Sequence, residues 1–217
     1  MGALTLFTYF RSSAAYRVRI ALELKGLAYD AIPVHLLRDG GEHHRAPYTQ
    51  IHPLELVPAL QDDALVLTQS LAILEYLEEL QPTPPLLPDT RAGRARVRSI
   101  ALTIACDIHP LNNLRVLQYL QRDLGIDELQ RNAWYQRWLR DGLTALERML
   151  STPARSDLYC HGDTPTLADC CLIPQVFNAL RFHAPLEEYP TVMAVYQRCQ
   201  VLGAFQRAAP EAQPDAA

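Results

Sequence analysis

Leu4-Thr5-Leu6-Phe7-Thr8-Tyr9-Phe10-Arg11-Ser12-Ser13-Ala14-Ala15-Tyr16-Arg17-Val18-Arg19-Ile20-Ala21-Leu22 decides how the amino-terminal part of this chain is read. Leu4 to Phe10 is apolar and rich in β-formers, which predicts a strand. Arg11-Ser12-Ser13 interrupts it with turn and helix-capping chemistry. From Ala14 to Lys25 apolar residues recur at Val18, Ala21, Leu22 and Leu24, and Gly26 follows, the pattern of a helix with a glycine stop. A strand that runs through a short turn into a helix opens an α/β unit. It leaves Ser12 at the helix amino end, where backbone N–H groups have no helical partner.

Working outward, Tyr29 to His35 reads as a second strand and Arg38-Asp39-Gly40-Gly41 as a loop. Val57-Pro58-Ala59-Leu60 and Leu65-Val66-Leu67 flank Asp62-Asp63 and suggest a hairpin. Ser70 to Leu80 is an amphipathic helix capped by Ser70. Gln81-Pro82-Thr83-Pro84-Pro85-Leu86-Leu87-Pro88 carries four prolines in eight residues, which excludes a regular helix or central strand and marks a linker. After it, helical periodicity takes over in 91–108, 113–124, 128–150, 166–182 and 191–205. Thr166-Leu167-Ala168-Asp169 has the form of a capping box. The tail Ala208 to Ala217 is expected to fray. The fold class is α/β followed by all-α, with domains at 1–82 and 91–217 joined by a linker at 83–90.

The chain has 217 residues, 49% hydrophobic and 20% charged, as in a globular protein of one or two domains. No apolar run approaches the ~20 residues of a membrane span. Met1-Gly2-Ala3-Leu4 has no basic segment and no long apolar one, so the expected location is the cytoplasm. A net charge of −4 disfavours nucleic acid as a partner. Lys25 is the only lysine among 20 basic residues, and arginine is the better clamp for planar carboxylates. The five cysteines include no C-x-x-C pair, so neither a disulfide framework nor a metal site is expected, and burial as small hydrophobes is.

Tyr9 to Leu22, Asp39-Gly40-Gly41, Leu56-Val57-Pro58-Ala59-Leu60 and Gln69-Ser70-Leu71-Ala72-Ile73 closely resemble motifs of the zeta-class glutathione transferases. So do His109-Pro110-Leu111-Asn112-Asn113-Leu114, Gly162 to Asp169 and Pro174-Gln175-Val176. The resemblance runs over residues 4 to 207 with motif order retained. It implies a thioredoxin-like first domain of order βαβαββα, an all-helical second domain, glutathione as cofactor and a homodimer.

The resemblance also implies a set of site residues. Ser12, at the helix start, would donate to the glutathione sulfur in the partial positive field of the helix end; as a bare residue it is equally a helix cap. Ser13, Arg17 and His43 would contact glutathione, although Arg17 and Arg19 also read as supports of the fold and His43 as a solvated loop residue. Val57 would pair with the tripeptide through its backbone beside a cis-Pro58. Gln69 and Ser70 would hold the γ-glutamyl carboxylate. His109, Asn113, Leu114 and Arg115 match positions that line the cleft in relatives. Arg11 and Arg181 would take the carboxylates of a diacid, or serve as surface or capping charges. The family pattern is Ser-Ser-Cys-Ser, whereas this chain has Ser12-Ser13-Ala14-Ala15, so chemistry that uses the cysteine is excluded here.

The implied activity is glutathione-dependent cis–trans isomerisation of a maleyl dicarboxylate, with maleylacetoacetate the first choice of substrate. Maleylpyruvate is the alternative: the missing cysteine leans towards it and Leu114 away from it. A general glutathione transferase or haloacid dehalogenase, and a non-catalytic binding module of the same fold, are further readings.

Overall fold

Leu4–Thr8 forms β1, an inner strand of a sheet ordered β2-β1-β3-β4. Its parallel neighbour is β2 (Tyr29–Pro33), with Leu4 opposite Tyr29 and Thr8 opposite Pro33. Its antiparallel neighbour is β3 (Ala59–Asp62), with Phe7 opposite Ala59, and β3 pairs in turn with the edge strand β4 (Leu65–Thr68). The pairing of β3 begins only at Ala59, because Pro58 has no N–H to contribute. The computed structural model describes residues 3–151 and 158–216.

Helix α1 (Ser13–Lys25) ends at Gly26, whose φ of 65° lets its N–H reach back to Leu22 and Glu23 carbonyls. α2 (Tyr48–Ile51) is a single turn, and α3 (Ser70–Leu80) closes the unit. α3 starts differently from the sequence expectation: Gln69 occupies the capping position, and Ser70 is the first helical residue. α1 shows no clean amphipathic stripe because α3 and α9 (Gly203–Ala208) both pack on it. Hence Val18, Ile20, Ala21, Leu22 and even Arg19 are fully buried. The lone lysine, Lys25, is buried as well; its Nζ donates to Glu78 Oε2 at 2.7 Å and to the carbonyls of Gln81 and Pro84.

The chain divides into two compact units, Met1–Leu86 with Gln200–Ala217, and Leu87–Cys199. The carboxy-terminal segment therefore packs with the sheet unit, whereas its helical texture had placed it in the second domain. The periodic run 191–205 is broken into α8 (Pro190–Gln200) and α9. Nor does the tail fray: Gln213 Nε2 donates to the carbonyls of Arg207 and Ala209, and Phe10 N–H donates to Asp215 Oδ2 at 3.0 Å.

In the second unit α4 (Arg91–Leu102) passes into a π-helical segment, Thr103–Ile108, where the sequence predicted one continuous helix. His109 N–H donates to Ile104 O, and Pro110 next supplies no donor. α5 (Leu114–Arg122) is capped by Asn113, α6 (Glu128–Leu150) by Asp127, and α7 (Leu167–Arg181) follows Thr166. The fully buried Asp169 accepts from Thr166 N, Thr166 Oγ1 and Cys160 N, which accounts for the spacing of that motif. Four cysteines are buried, but Cys106 is exposed. Among the described residues no helix is long and apolar enough to cross a membrane.

Arg19 organises the sheet unit. Its Nε donates to Ala208 O, Nη1 to Thr8 Oγ1 and Nη2 to Phe10 O, each at 2.9 Å. Replacing it by methionine keeps the volume and strands these acceptors in the interior. Arg19→Met is expected to lower the stability of the protein by about 3 kcal/mol or more, read as a drop in the urea midpoint at unchanged slope.

Candidate active site

The turn between β1 and α1 presents the residues singled out in the sequence. Ser12 has an extended backbone and caps α1: its Oγ accepts from Ala15 N–H at 3.2 Å. That bond occupies an acceptor lone pair and leaves the hydroxyl proton free to be donated elsewhere. No acidic residue lies in the first turn of α1, so the positive end of its dipole is not neutralised locally. Ser13 is buried at the first helical position. Arg11 is exposed, its guanidinium 4.8 Å from the centre of the Phe10 ring.

Arg17 stands about one and a half turns further along α1 and is buried. Its Nη1 donates to Ser70 Oγ at 3.1 Å, tying α1 to the amino end of α3. The Ser70 hydroxyl thus accepts from a cation and keeps its own proton to donate. Gln69, immediately before it, has φ 70° and ψ 111°. A non-glycine residue held there costs of order 1–3 kcal/mol, and such strain concentrates at ligand sites. Gln69 is exposed at the start of the helix.

The Val57–Pro58 peptide bond is cis. Tyr48 OH donates to the carbonyl of Leu56, pinning the chain just before it. Among the described residues neither the N–H nor the C=O of Val57 makes a hydrogen bond. An extended peptide backbone could satisfy both. His43 is also buried, with Nδ1 lacking a partner, and its ring lies 3.8 Å from that of His44, which contacts Glu55. Burial holds His43 below its ordinary pKa, helped by the neighbouring His44 and opposed by Glu55. Free backbone groups at Val57, an orphaned ring nitrogen at His43 and hydroxyls with a proton to donate at two helix starts fit a small extended peptide with acidic ends.

The second unit carries the other predicted residues. His109 follows the π-helical segment, and its Nε2 lies 3.2 Å from Asn113 Nδ2. Leu114 and Arg115 open α5, Leu114 half-buried and Arg115 exposed. Ile108 packs into a notch over Gly142, where an added Cβ would come within 2.3 Å of it. Arg181, at the end of α7, is exposed with its guanidinium 4.9 Å from the centre of the Phe182 ring. That ring stacks on Tyr135 at 4.5 Å, and Tyr135 OH donates to Asn178. Asn112 Nδ2 donates to the Tyr135 carbonyl and Trp134 Nε1 to that of Leu111, so the 109–113 turn and the Arg181 platform share one support.

Sequence reading missed Tyr135, Asn112 and Asp215, because each bonds to a partner distant along the chain, and it missed Phe182 and Tyr48, whose packing on Tyr135 and Phe7 no local pattern marks.

His43 supplies a test. Because its folded pKa lies below the unfolded value of 6.5, the unfolded chain takes up this proton first as pH falls. The neutral side chain therefore contributes stability that is fully present above 6.5 and is lost as pH drops through the folded value. His43→Gln is expected to flatten the fall in urea midpoint between pH 7 and pH 5 relative to the unsubstituted protein.

Two family models match the chain: "Glutathione S-transferase, N-terminal domain" over residues 2–79 and "Glutathione S-transferase, C-terminal domain" over 129–198. A probable maleylacetoacetate isomerase of Vibrio cholerae is 50% identical over 216 residues, covering 100% of both chains. The holo structure of a maleylpyruvate isomerase, a bacterial zeta-class glutathione S-transferase, has a TM-score of 0.95 at 48% identity, covering 98% of this chain and 100% of that one. A maleylacetoacetate isomerase from Methylobacterium extorquens AM1 with bound malonate and GSH has a TM-score of 0.93 at 40% identity, covering 98% and 99%.

Proposed function

This chain belongs to the glutathione S-transferase family, in its zeta class, and on that footing we propose that it is a glutathione-dependent cis–trans isomerase of a maleyl dicarboxylate. Maleylacetoacetate is the substrate we favour, since the relative that matches over the full length of both chains carries that activity in its name. Maleylpyruvate is the second reading, supported by the likeness to a maleylpyruvate isomerase structure and by Ala14 at the family's cysteine position. The observation that carries the proposal is Ser12: a hydroxyl with a free proton at the open, positive end of a thirteen-residue helix.

When bound, glutathione supplies the sulfur nucleophile through which a cis double bond can rotate, and it is regenerated. The protein's own part is to hold and polarise. Val57 offers its backbone N–H and C=O to the peptide, and His43 its buried ring. Ser70 would donate a hydrogen bond to the γ-glutamyl carboxylate while Arg17 holds its oxygen, with Gln69 beside it. Ser12 donates to the sulfur and so favours the ionised thiol, which at an ordinary pKa of ~8.5 is only a few per cent ionised at pH 7. Ser13 adds the start of α1. On the substrate side, Arg11 and Arg181 each rest on an aromatic ring, which limits their motion and readies them for carboxylates. In the second unit, His109, Asn113, Leu114 and Arg115 are the residues proposed to meet the substrate.

Removing the Ser12 hydroxyl deletes a charge-assisted donor worth ~1.5–3 kcal/mol. Ser12→Ala is expected to lower kcat about tenfold or more and to raise the thiol pKa of bound glutathione. Arg181→Ala should instead lower kcat/KM for the maleyl diacid by ~10- to 100-fold with little change in glutathione affinity. Steady-state kinetics on maleylacetoacetate and maleylpyruvate, with glutathione binding measured calorimetrically, check both. Full activity in folded Ser12→Ala would remove the assignment.

The protein is further proposed to be a cytoplasmic homodimer. Leu65 and Val66 on the edge strand and Leu102 in the helical unit are large apolar side chains left 46%, 39% and 46% exposed in the single chain. Multi-angle light scattering at micromolar concentration is expected to give twice the chain mass; a single-chain mass would overturn this.

A further inference from the structure

The tail residue Asp215 sits against the turn that leads into α1. Phe10 N–H donates to its Oδ2 at 3.0 Å, and Phe10 C=O accepts from Arg19 Nη2 at 2.9 Å. The neighbouring Tyr9 C=O accepts from Ser12 N–H at 2.9 Å and from Arg19 Nη1 at 3.4 Å. Both polar groups of the Phe10 residue are therefore held by opposite charges that arrive from opposite ends of the chain. The Phe10 ring in turn carries the Arg11 guanidinium, and two residues beyond Phe10 stands Ser12.

We propose that Asp215 is a positioning residue for the Arg11–Ser12 turn, so that the carboxy-terminal tail is a working part of the thiol-activating site. The proposal rests on the role given to Ser12 above.

The tail is built to hold this contact. Gln213 is buried and donates to the carbonyls of Arg207 and Ala209, while Ala216 N–H donates to Gln213 O. Ala216 packs on the apolar cluster of Phe7, Tyr9, Phe10, Val34, Tyr48 and Val57. That cluster thus underlies the turn before Ser12 and the Val57–Pro58 peptide together. A carboxylate suits the position for a second reason. Burial lowers Arg19 to about 10, while Tyr29, Tyr16 and Asp215 oppose the shift, so the guanidinium stays charged at neutral pH. Alanine at 215 would take away both the acceptor for Phe10 and a countercharge for the group that holds the Phe10 carbonyl, whereas asparagine would lose only the countercharge. A ligand hydroxyl donor misplaced by a fraction of an ångström loses much of its effect, because hydrogen bonds weaken steeply with angle.

The test uses the full chain with Asp215→Ala, Asp215→Asn and, as a control on the exposed face of the same tail, Glu211→Gln. Hydrogen exchange is followed by mass spectrometry in the glutathione-free protein, and the thiol of bound glutathione is titrated by its thiolate absorbance. For Asp215→Ala the peptide spanning residues 7–13 should exchange about tenfold faster, and the thiolate fraction at pH 7 should fall about fivefold, with kcat following it. Asp215→Asn keeps an acceptor oxygen and should recover most of both readouts; Glu211→Gln should match the unsubstituted protein. A tail of purely structural value would lower the melting temperature yet leave the 7–13 peptide and the titration unchanged, and that result overturns the proposal. If Ser12→Ala shifts the titration and Asp215→Ala does not, the positioning role fails and the function stands. If Ser12→Ala leaves the titration unmoved while Asp215→Ala speeds exchange at 7–13, the turn is positioned as argued and the role of Ser12 fails.

Discussion

Arg19 is a charged side chain with none of its surface exposed, and the sheet unit is arranged around satisfying it. A guanidinium transferred to the interior without partners would be prohibitive. Here its N–H groups meet the end of β1 at Thr8, the turn at Tyr9 and Phe10, and the end of α9 at Ala208. One side chain thereby joins α1 to residues 8–10 just before it and to the end of α9, 189 positions further along the chain. Its planar fork reaches several acceptors at once, which a lysine could not do. Lys25, the one lysine, does a smaller version of the same work on Glu78 and the proline-rich segment that follows α3.

The turn that Arg19 holds also carries Ser12, the residue proposed above to act on the thiol. At the starts of α1 and α3 a serine oxygen accepts a hydrogen bond from the protein, which orients the hydroxyl and leaves its proton outward. The two sites differ in how they are maintained. Ser12 is held by an ordinary helix cap, whereas Ser70 is presented by a strained Gln69 and a buried arginine. Strain of this kind persists only where the surrounding packing over-determines it, and the fully buried Ile73, Leu74 and Leu77 of α3 supply that packing. Pro58, which has no N–H to offer, precedes Ala59, the first residue of β3, and the Val57 peptide groups make no hydrogen bond among the described residues.

In the helical unit, aromatic stacking does what hydrogen bonding does in the sheet unit. Tyr135 is buried, and burial pushes its phenol pKa upward against the opposing field of Arg181. It therefore stays neutral and serves as a platform under Phe182, on which Arg181 rests. Departure from regular α-helix at Thr103–Ile108 redirects the chain just before His109, and Gly142 gives Ile108 the room to follow. Such π-turns often lie beside functional residues.

The local elements were legible in the sequence because their causes are local. An apolar run rich in β-formers made β1, helical spacing with a glycine stop made α1, and proline density marked the segment after α3. Ser12, Val57, Gln69 and Ser70 were singled out through motifs that resemble a known family, and each sits at an element boundary whose residue types are restricted. Helix boundaries that depend on partners were not legible: the break between α8 and α9, the π-segment after α4, and the shift of the α3 cap from Ser70 to Gln69. Nor could composition say that Asp215 and Ala216, in a small and polar tail, would close on Phe10. That tail gains order only from a buried guanidinium and an apolar cluster built by residues some two hundred positions earlier. The sequence by itself determined which segments fold into strands and helices and which atoms could do chemistry. Only the tertiary structure decided how the reactive turn is held, because burial of a charge can be satisfied only by groups that the finished fold brings together.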